Sequence, residues 1–300
     1  MAPPRGNRHY AIGGTGVEAP ALPGGLYLVA TPIGNLRDVT LRALEILAAA
    51  DLIACEDTRI SRRLLEHYGI ATPLTSYHEH NAADARPKLL ARLSAGDAVA
   101  LISDAGTPLI SDPGYKLARE VSAAGFAVTA SPGASAVLAA LSVSGLPTDR
   151  FFFEGFLPPK EAARSKRIGE LARIPATLVL FESGPRLGAA LASLASGFGL
   201  RQASICRELT KLHEEVRRGD LVTLAAEYAD GAETRGEIVI VIEPPALDDA
   251  APTDIDSLLR GALGRVSVKD AVGEVAAVTG VSRREIYQRA LDLNKADNGS

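Results

Sequence analysis

Short apolar runs recur along the first half of the chain, and each gives way to a polar loop and then to a segment with helical spacing. The runs are residues 26–30, 52–55, 74–77, 98–102 and 126–130. A short uninterrupted apolar run indicates a strand that is buried on both faces, as in a parallel sheet. Because strands alternate with helices, the pattern predicts a parallel, doubly wound α/β sheet.

A second α/β domain is expected after residue 146, where four further apolar runs predict strands over residues 151–154, 177–181, 204–207 and 237–242. Near the end of the chain, two apolar-periodic stretches flank Thr279–Ser282, which is the shape of a helix-turn-helix or of a small structural cap. The predicted organisation is a disordered tail over residues 1–25, α/β domains over 26–146 and 147–243, a linker over 244–254 and a helical segment over 255–300.

A polar loop directly follows each of four predicted strands. The loops are Thr31–Asn35, Glu56–Arg59, Ser103–Pro108 and Ser131–Ser135. In a doubly wound sheet, ligands bind beyond the carboxyl ends of the strands, so the four loops predict a ligand site on that edge. None of them contains GxGxxG or GxxxxGK[ST], which disfavours a dinucleotide site and a P-loop.

The loop after residues 98–102 has the richest chemistry. Gly106 and Gly114 would let a ligand approach the backbone closely, and Asp104 and Asp112 would add hydrogen-bond acceptors. Asp112 also precedes a proline, so we expect it to cap a helix that runs to about residue 124. An ordinary βα connection is the alternative for this loop.

Composition narrows the class of protein. The chain has 300 residues, 47% of them hydrophobic, and only two cysteines, which predicts a reducing cytoplasm and no structural disulfide. No apolar run reaches the roughly 18 residues of a membrane span, and no signal peptide is expected. The net charge of −4 disfavours a protein that binds polyanions through a surface that is basic all over. A local basic segment, residues 158–173, fits either RNA phosphates or a solvated helix face, and its candidate RNA contacts are Lys160, Arg164, Lys166 and Arg167.

Seven motifs resemble one known family. They are LVATPIGNLRD (28–38), EDTR (56–59), SDAGTPLISDPG (103–114), PGASA (132–136), FESGPR (181–186), RELTKLHEE (207–215) and GEIVI (236–240). With them the chain resembles the ribosomal RNA small subunit methyltransferase I group of the tetrapyrrole methylase superfamily. EDTR together with SDAGTPLISDPG is the most specific part of the match, whereas PGASA is shared across the superfamily.

The resemblance implies two α/β domains, the second with a mixed sheet, and S-adenosyl-L-methionine folded into the cleft between them. It also implies a homodimer, and methyl transfer to the ribose 2′-oxygen of a cytidine in the decoding region of 16S rRNA, within the small ribosomal subunit. Matched motif to motif, the implied cofactor contacts are Pro32, Ser103, Asp104, Ala105, Gly106, Ser135, Ala136, Glu182, Leu209 and Gly236. No metal is implied.

Methyl transfer to a ribose hydroxyl needs a group that accepts the hydroxyl proton or lowers the pKa of the hydroxyl. Glu56 or Asp57 is the first candidate, with Arg59 holding a phosphate or orienting the carboxylate; a purely structural ion pair is the alternative. Lys211 is the second candidate, on the expectation that burial lowers its pKa.

Two other functions stay open. One is a methylase of the same superfamily that acts on a tetrapyrrole, although the first loop, TPIGNLRD, departs from the glycine-rich GxGPGD that is typical of those enzymes. The other is a non-enzymatic α/β core that binds an effector and carries a nucleic-acid-binding helix-turn-helix.

Overall fold

The computed structural model describes residues 8–229, 234–246, 255–279 and 281–297. The chain divides into two compact units, Met1–Ile168 with Ala176–Glu243 and Gly169–Pro175 with Pro244–Ser300. Apart from residues 169–175, both α/β domains therefore lie in one unit, and the C-terminal helices lie in the other.

The first half of the large unit alternates strands and helices as the apolar runs predict. Its elements are β1 (His9–Ile12), β2 (Thr15–Glu18), β3 (Gly25–Val29), α1 (Leu41–Ala49), β4 (Leu52–Cys55), α2 (Thr58–His67), β5 (Leu74–Ser76), α3 (Ala82–Ser94), β6 (Ala98–Leu101), α4 (Tyr115–Ala123), β7 (Val128–Ser131) and α5 (Ala136–Ser144). Five of the strands form a sheet in the order β5-β4-β6-β3-β7, and every pairing is parallel. The predicted parallel α/β sheet is confirmed.

Burial explains why the central strand was recognisable in the sequence. All four residues of β6 are buried, and the adjacent β3 places Leu26 and Val29 in the core. A strand covered by helices on both faces has no polar side to alternate with, so it reads as a continuous apolar run.

The expectation of a disordered tail over residues 1–25 is wrong for the residues that are described, since β1 and β2 form an antiparallel hairpin. Gly13 and Gly14 have φ values of +58° and +83°, the left-handed pair that a two-residue hairpin turn requires. Tyr10 is buried, and the backbone N–H of Ala11 donates to the carbonyl of Tyr68 at 2.7 Å. The hairpin thus packs on the first sheet's helices; residues 1–7 lie outside the described residues.

The second half of the large unit forms a mixed sheet, as expected. Its elements are β8 (Phe151–Phe156), α6 (Glu161–Leu171), β9 (Thr177–Ser183), α7 (Leu187–Phe198), β10 (Gln202–Arg207), β11 (Glu215–Asp220), α8 (Leu221–Glu227) and β12 (Glu237–Ile242). The order is β11-β10-β12-β9-β8, in which β8 and β9 are parallel and the other pairs antiparallel. The sequence of β11, EVRRGD, gave no apolar signal because it is a charged edge strand.

Helix α4 begins at Tyr115, with Gly114 as its N-cap, and not at the expected Asp112. Gly114 has φ of +135°, which lies outside the helical range, so the helix cannot begin before it. At Gly114, a Cβ atom would lie 2.7 Å from a methyl group of Leu101. This glycine therefore allows the loop to approach the core strand β6, and not a ligand.

The C-terminal unit contains α9 (Ile255–Leu263), α10 (Val268–Thr279) and α11 (Arg283–Asp297). Leu259, Ala271 and Ile286 pack together in its core. Helices α10 and α11 flank residues 280–282, where the sequence predicts the turn of a helix-turn-helix. Most of the predicted linker, residues 247–254, lies outside the described residues. No helix in the described part of the chain combines the length and apolarity of a membrane span.

Candidate active site

The first loop is joined to the loop after β6 by a two-residue antiparallel bridge. Thr31 and Gly106 exchange both backbone hydrogen bonds, at 2.9 and 3.0 Å. The Thr31 hydroxyl also donates to the carbonyl of Ser103 at 3.1 Å, and the Ser103 hydroxyl donates to that of Gly106 at 3.1 Å. The N–H of Gly106 is therefore used within the protein and does not face a ligand.

The other two loops are attached to the same centre. The backbone N–H of Asp57 donates to a carboxylate oxygen of Asp104 at 3.0 Å, and the Thr107 hydroxyl donates to the carbonyl of Ala134 at 3.2 Å. All four polar loops thus meet at one edge of the sheet, which confirms their predicted convergence.

A cavity of about 230 Å³ opens between these loops and the second sheet. Six of the predicted cofactor contacts line it: Ala105, Gly106, Ser135, Ala136, Glu182 and Leu209. Its apolar wall is buried and includes Val137, Cys206 and Val239. The cavity is therefore formed by both halves of the large unit.

A second cavity, of about 530 Å³, adjoins the first, and the two share Ile33, Ala105 and Glu237 in their walls. It contains the remaining predicted residues Pro32, Ser103 and Asp104, together with Lys211. The last of the predicted cofactor contacts, Gly236, lines neither cavity, but it precedes Glu237, which lines both. Together the cavities form one cleft with two compartments.

Carboxyl groups crowd one side of this cleft. Burial, the negative charge of Glu56 and that of Asp104 raise the pKa of Asp112 to about 6, although a hydrogen bond with Ser103 opposes them. Burial and the charge of Asp104 likewise raise the pKa of Glu56. A carboxylate with a raised pKa holds a proton more readily, so Asp112 and Glu56 are the better proton acceptors of the site. The sequence showed Asp112 only as a hydrogen-bond acceptor and a helix cap.

Asp57 is bound to Arg59 and is poorly suited to accept a proton. Its carboxylate receives the Arg59 backbone N–H at 2.8 Å and the guanidinium at 2.6 Å, and it caps α2. These bonds lower the pKa of Asp57 to about 2. The structural ion pair that stood as the alternative is the arrangement observed.

Lys211 is a fixed cation, so the expected lowering of its pKa is wrong. Its ammonium group donates to Glu208 at 2.8 Å and to Glu237 at 2.9 Å. Burial favours the neutral amine, but these hydrogen bonds outweigh burial and raise the pKa of Lys211. The aliphatic stem lies against Gly34, where a Cβ atom would approach the lysine Cγ to 2.5 Å. Lys211 therefore extends from the second domain and places its positive charge beside the loop that follows β3.

Comparison with known proteins places the chain in a family. The family model described as tetrapyrrole (corrin/porphyrin) methylases matches residues 25–225, and a model of the RsmI C-terminal HTH domain matches residues 249–294. A ribosomal RNA small subunit methyltransferase I from Mesorhizobium japonicum is 51% identical to the chain, over 94% of this chain and 96% of that protein. The protein belongs to the ribosomal RNA small subunit methyltransferase I family.

A second relative and a solved structure are also similar to the chain. The relative of the same name from Erythrobacter litoralis is 50% identical, over 92% of this chain and 98% of its own. The structure of uroporphyrin-III C-methyltransferase from Thermus thermophilus is 22% identical, with a TM-score of 0.53 over 73% of this chain and 94% of that one, which shows a shared fold. As a member of the family, the protein is a methyltransferase that uses S-adenosylmethionine.

Glu182 tests whether the first cavity suits that cofactor. Its side chain is only 1% exposed; one oxygen accepts from the backbone N–H of Ser183 at 2.8 Å and pairs with Arg186 at 3.3 Å. The other oxygen is buried without a hydrogen-bond partner among the described residues. A buried acceptor is costly unless a donor satisfies it, and the ribose hydroxyls and amino groups of S-adenosylmethionine are such donors. The cavity fits the cofactor.

The basic segment differs from its prediction at two of the four residues. Arg164 is buried and donates to the hydroxyl of Ser193 at 2.9 Å, so it cannot be the RNA contact that was expected. Arg167 forms a two-point ion pair with Glu154 at 2.6 and 2.7 Å. Lys160 and Lys166 are exposed. Among the described residues, no three His, Cys, Asp or Glu side chains are grouped to hold a metal ion.

Proposed function

We propose that this protein transfers a methyl group to the ribose 2′-oxygen of a cytidine in the decoding region of 16S rRNA, within the small ribosomal subunit in the cytoplasm. The observation that carries the proposal is the two-compartment cleft. One compartment has a buried apolar wall and the unsatisfied oxygen of Glu182, which suits the cofactor. The acceptor nucleotide is placed across the boundary between the compartments, with Asp112 in the first and Lys211 in the wider second one. The names of the relatives and the TPIGNLRD loop support RNA as that acceptor.

The cofactor supplies an electrophilic methyl group, and the protein must place the acceptor oxygen in line with it. Holding two reactants in the right geometry provides a large part of the rate of such a displacement. The backbone bridge between Thr31 and Gly106 joins the loop after β3 to the loop after β6. The two loops thus form one rigid wall against which the reactants can be aligned.

Asp112 is the proposed acceptor of the 2′-hydroxyl proton. It lines the cofactor cavity and has a pKa of about 6, so it is mostly ionised at neutral pH yet basic enough to take a proton. Together with burial, the charge of Glu56 supports it by raising the pKa of Asp112. Lys211, which stays protonated, lines the other compartment and is suited to an RNA phosphate or to the developing negative charge on the acceptor oxygen.

Lys160 and Lys166 are proposed as phosphate contacts outside the cleft, and the protein as a homodimer that joins two such faces. Each exposed lysine that neutralises a phosphate contributes to a salt-dependent affinity. Light scattering on the purified protein tests the dimer: twice the mass of one chain is expected, and a monomer at micromolar concentration contradicts it.

The proposed reaction can be tested in cells. In a strain that lacks this gene, 16S rRNA should lose one 2′-O-methylcytidine, and the wild-type gene and the exposed-surface variant Leu200→Ala should restore it. Glu182→Ala and Asp112→Asn should not. If the nucleoside is unchanged by deletion, the RNA substrate is wrong, and absorption spectra with a porphyrinoid acceptor become the next assay.

A further inference from the structure

Two large apolar side chains remain exposed at the mouth of the cofactor cavity. Phe156, at the end of β8, is 54% exposed, and Ile110, in the loop after β6, is 45% exposed. Both line the same cavity, one from each half of the large unit. Ligand cavities are lined mostly by apolar and aromatic side chains, so exposed ones in a cavity wall are available to an occupant of that cavity.

The position of Phe156 depends on an irregularity in its strand. The pairing of β8 with β9 shifts register between Phe153 and Gly155, and Gly155 has φ of +76°. A Cβ atom at Gly155 would lie 3.2 Å from the hydroxyl of Ser111, so the bulge also fits closely against the loop that carries Ile110. Bulges commonly redirect a side chain beside an active site. Here the next residue along, Phe156, meets Phe181 edge to face at 5.7 Å.

Ile110 is held by an equally unusual backbone. Its two neighbours, Leu109 and Ser111, both adopt left-handed conformations, which non-glycine residues rarely do. Strained backbone of this kind persists only where the surrounding structure holds it, and it is concentrated at ligand-binding sites. The bulge and the loop therefore lie next to each other and present two exposed apolar side chains to the same cavity.

The buried wall and the exposed rim suit different parts of the reaction. Val137, Cys206 and Leu209 are buried and already provide an apolar surface for the cofactor deeper in the cavity. Phe156 and Ile110 lie at the solvent side, where the acceptor must enter. Sequence-specific RNA recognition commonly stacks an unpaired base on an aromatic side chain.

We propose that Phe156 and Ile110 form a base clamp that holds the splayed-out target base of the RNA while its ribose is methylated. This inference rests on the proposed RNA substrate. Asp112 is two residues from Ile110 and lines the same cavity, so a base that packs on the two side chains brings its own ribose toward the proposed proton acceptor. Phe156 and Ile110 are positioning residues and take no part in the proton transfer.

Methylation kinetics on small subunits that lack the modification test the clamp. Stacking of a base on an aromatic ring changes binding by about 5- to 100-fold. Phe156→Leu should therefore lower kcat/KM for subunits by about that factor, chiefly through KM, and Phe156→Tyr should restore it. Ile110→Ala should lower kcat/KM in the same way but to a smaller extent, because isoleucine offers no ring for stacking. Calorimetry with S-adenosylhomocysteine should give the same Kd, within about twofold, for all variants.

Phe151 provides the matched control. It lies at the other end of β8, is 44% exposed and does not line the cavity, so Phe151→Leu should leave KM unchanged. Unchanged KM in Phe156→Leu and Ile110→Ala would overturn the clamp, and so would weakened binding of S-adenosylhomocysteine, which would assign the rim to the cofactor. If the wild type itself makes no methylated cytidine, the proposed function fails and the clamp fails with it.

Discussion

Replacing Asp112 with asparagine should make the protein more stable while removing its activity. The carboxylate is half-buried beside Glu56 and Asp104, so its ionised form is unfavourable in the folded state. Asparagine has nearly the same shape and no charge. The substitution therefore removes the repulsion and the cost of burying the charge, and it also removes the proposed proton acceptor.

The size of the effect follows from the pKa. A rise from 3.8 to about 6 corresponds to roughly 3 kcal/mol, at about 1.4 kcal/mol for each tenfold change in ionisation. Because Asp112 is only half-buried, solvent screening reduces the expected gain to about 1 kcal/mol. Methyl transfer should fall by about 10²- to 10⁴-fold, the usual contribution of a positioned general base.

The pH dependence of stability distinguishes this cause from a generic packing effect. A group whose pKa is higher in the folded state contributes stability that is complete below its unfolded pKa and is lost as the pH rises through the folded value. Wild type should therefore lose stability relative to Asp112→Asn between about pH 4 and pH 6. Urea unfolding at several pH values measures this, with a difference that is larger at pH 7.5 than at pH 5.

Asp57→Asn is the control with the opposite sign, because its pKa is lowered to about 2 by Arg59. It should destabilise the protein at pH 7.5 through loss of the ion pair and the charged cap of α2. If Asp112→Asn is also destabilised at pH 7.5, or if its difference from wild type does not change with pH, the account of the carboxyl cluster is refuted.

Four further substitutions test other parts of the account. Lys211→Met leaves Glu208 and Glu237 facing each other and should cost about 1–2 kcal/mol in urea unfolding, together with most of the activity; retention of both would contradict the fixed cation. Glu182→Gln replaces the carboxylate, whose second oxygen is buried without a hydrogen-bond donor, by an amide, and calorimetry should show S-adenosylhomocysteine binding about 10- to 100-fold more weakly. Unchanged affinity would show that the cofactor does not bind against Glu182. Arg164→Ala should lower stability by about 1–3 kcal/mol, whereas the exposed Lys166→Ala should leave stability unchanged and reduce the salt dependence of subunit binding; the reverse result would show the two roles to be exchanged.

The location of the site was predictable because it depends on topology. Parallel strands have their carboxyl ends at one edge, so Thr31, Asp57, Ser103 and Ala134 could be brought together from the apolar runs alone. The second-sheet residues, Glu182 and Leu209, came only from the resemblance to a family, since no periodicity shows which strands of a mixed sheet face the first domain.

The chemistry of individual side chains was less predictable, because it depends on the partner that each one finds. Lys211 looks like a candidate base in the sequence, but two carboxylates from different segments keep it charged. Arg164 looks like a surface cation on a helix, but its side chain turns inward to Ser193. The N-terminal hairpin was missed and predicted as disordered tail, because each of its strands has only four residues.

Methylation by the purified protein tests the central claim most directly. The protein is incubated with labelled S-adenosylmethionine and with small subunits that lack the modification, and the digested RNA is analysed by mass spectrometry of its nucleosides. We expect label in 2′-O-methylcytidine with wild type and with Phe151→Leu, and almost none with Asp112→Asn. Label on a base, or no label from an enzyme that binds S-adenosylhomocysteine, would contradict ribose methylation of the small subunit.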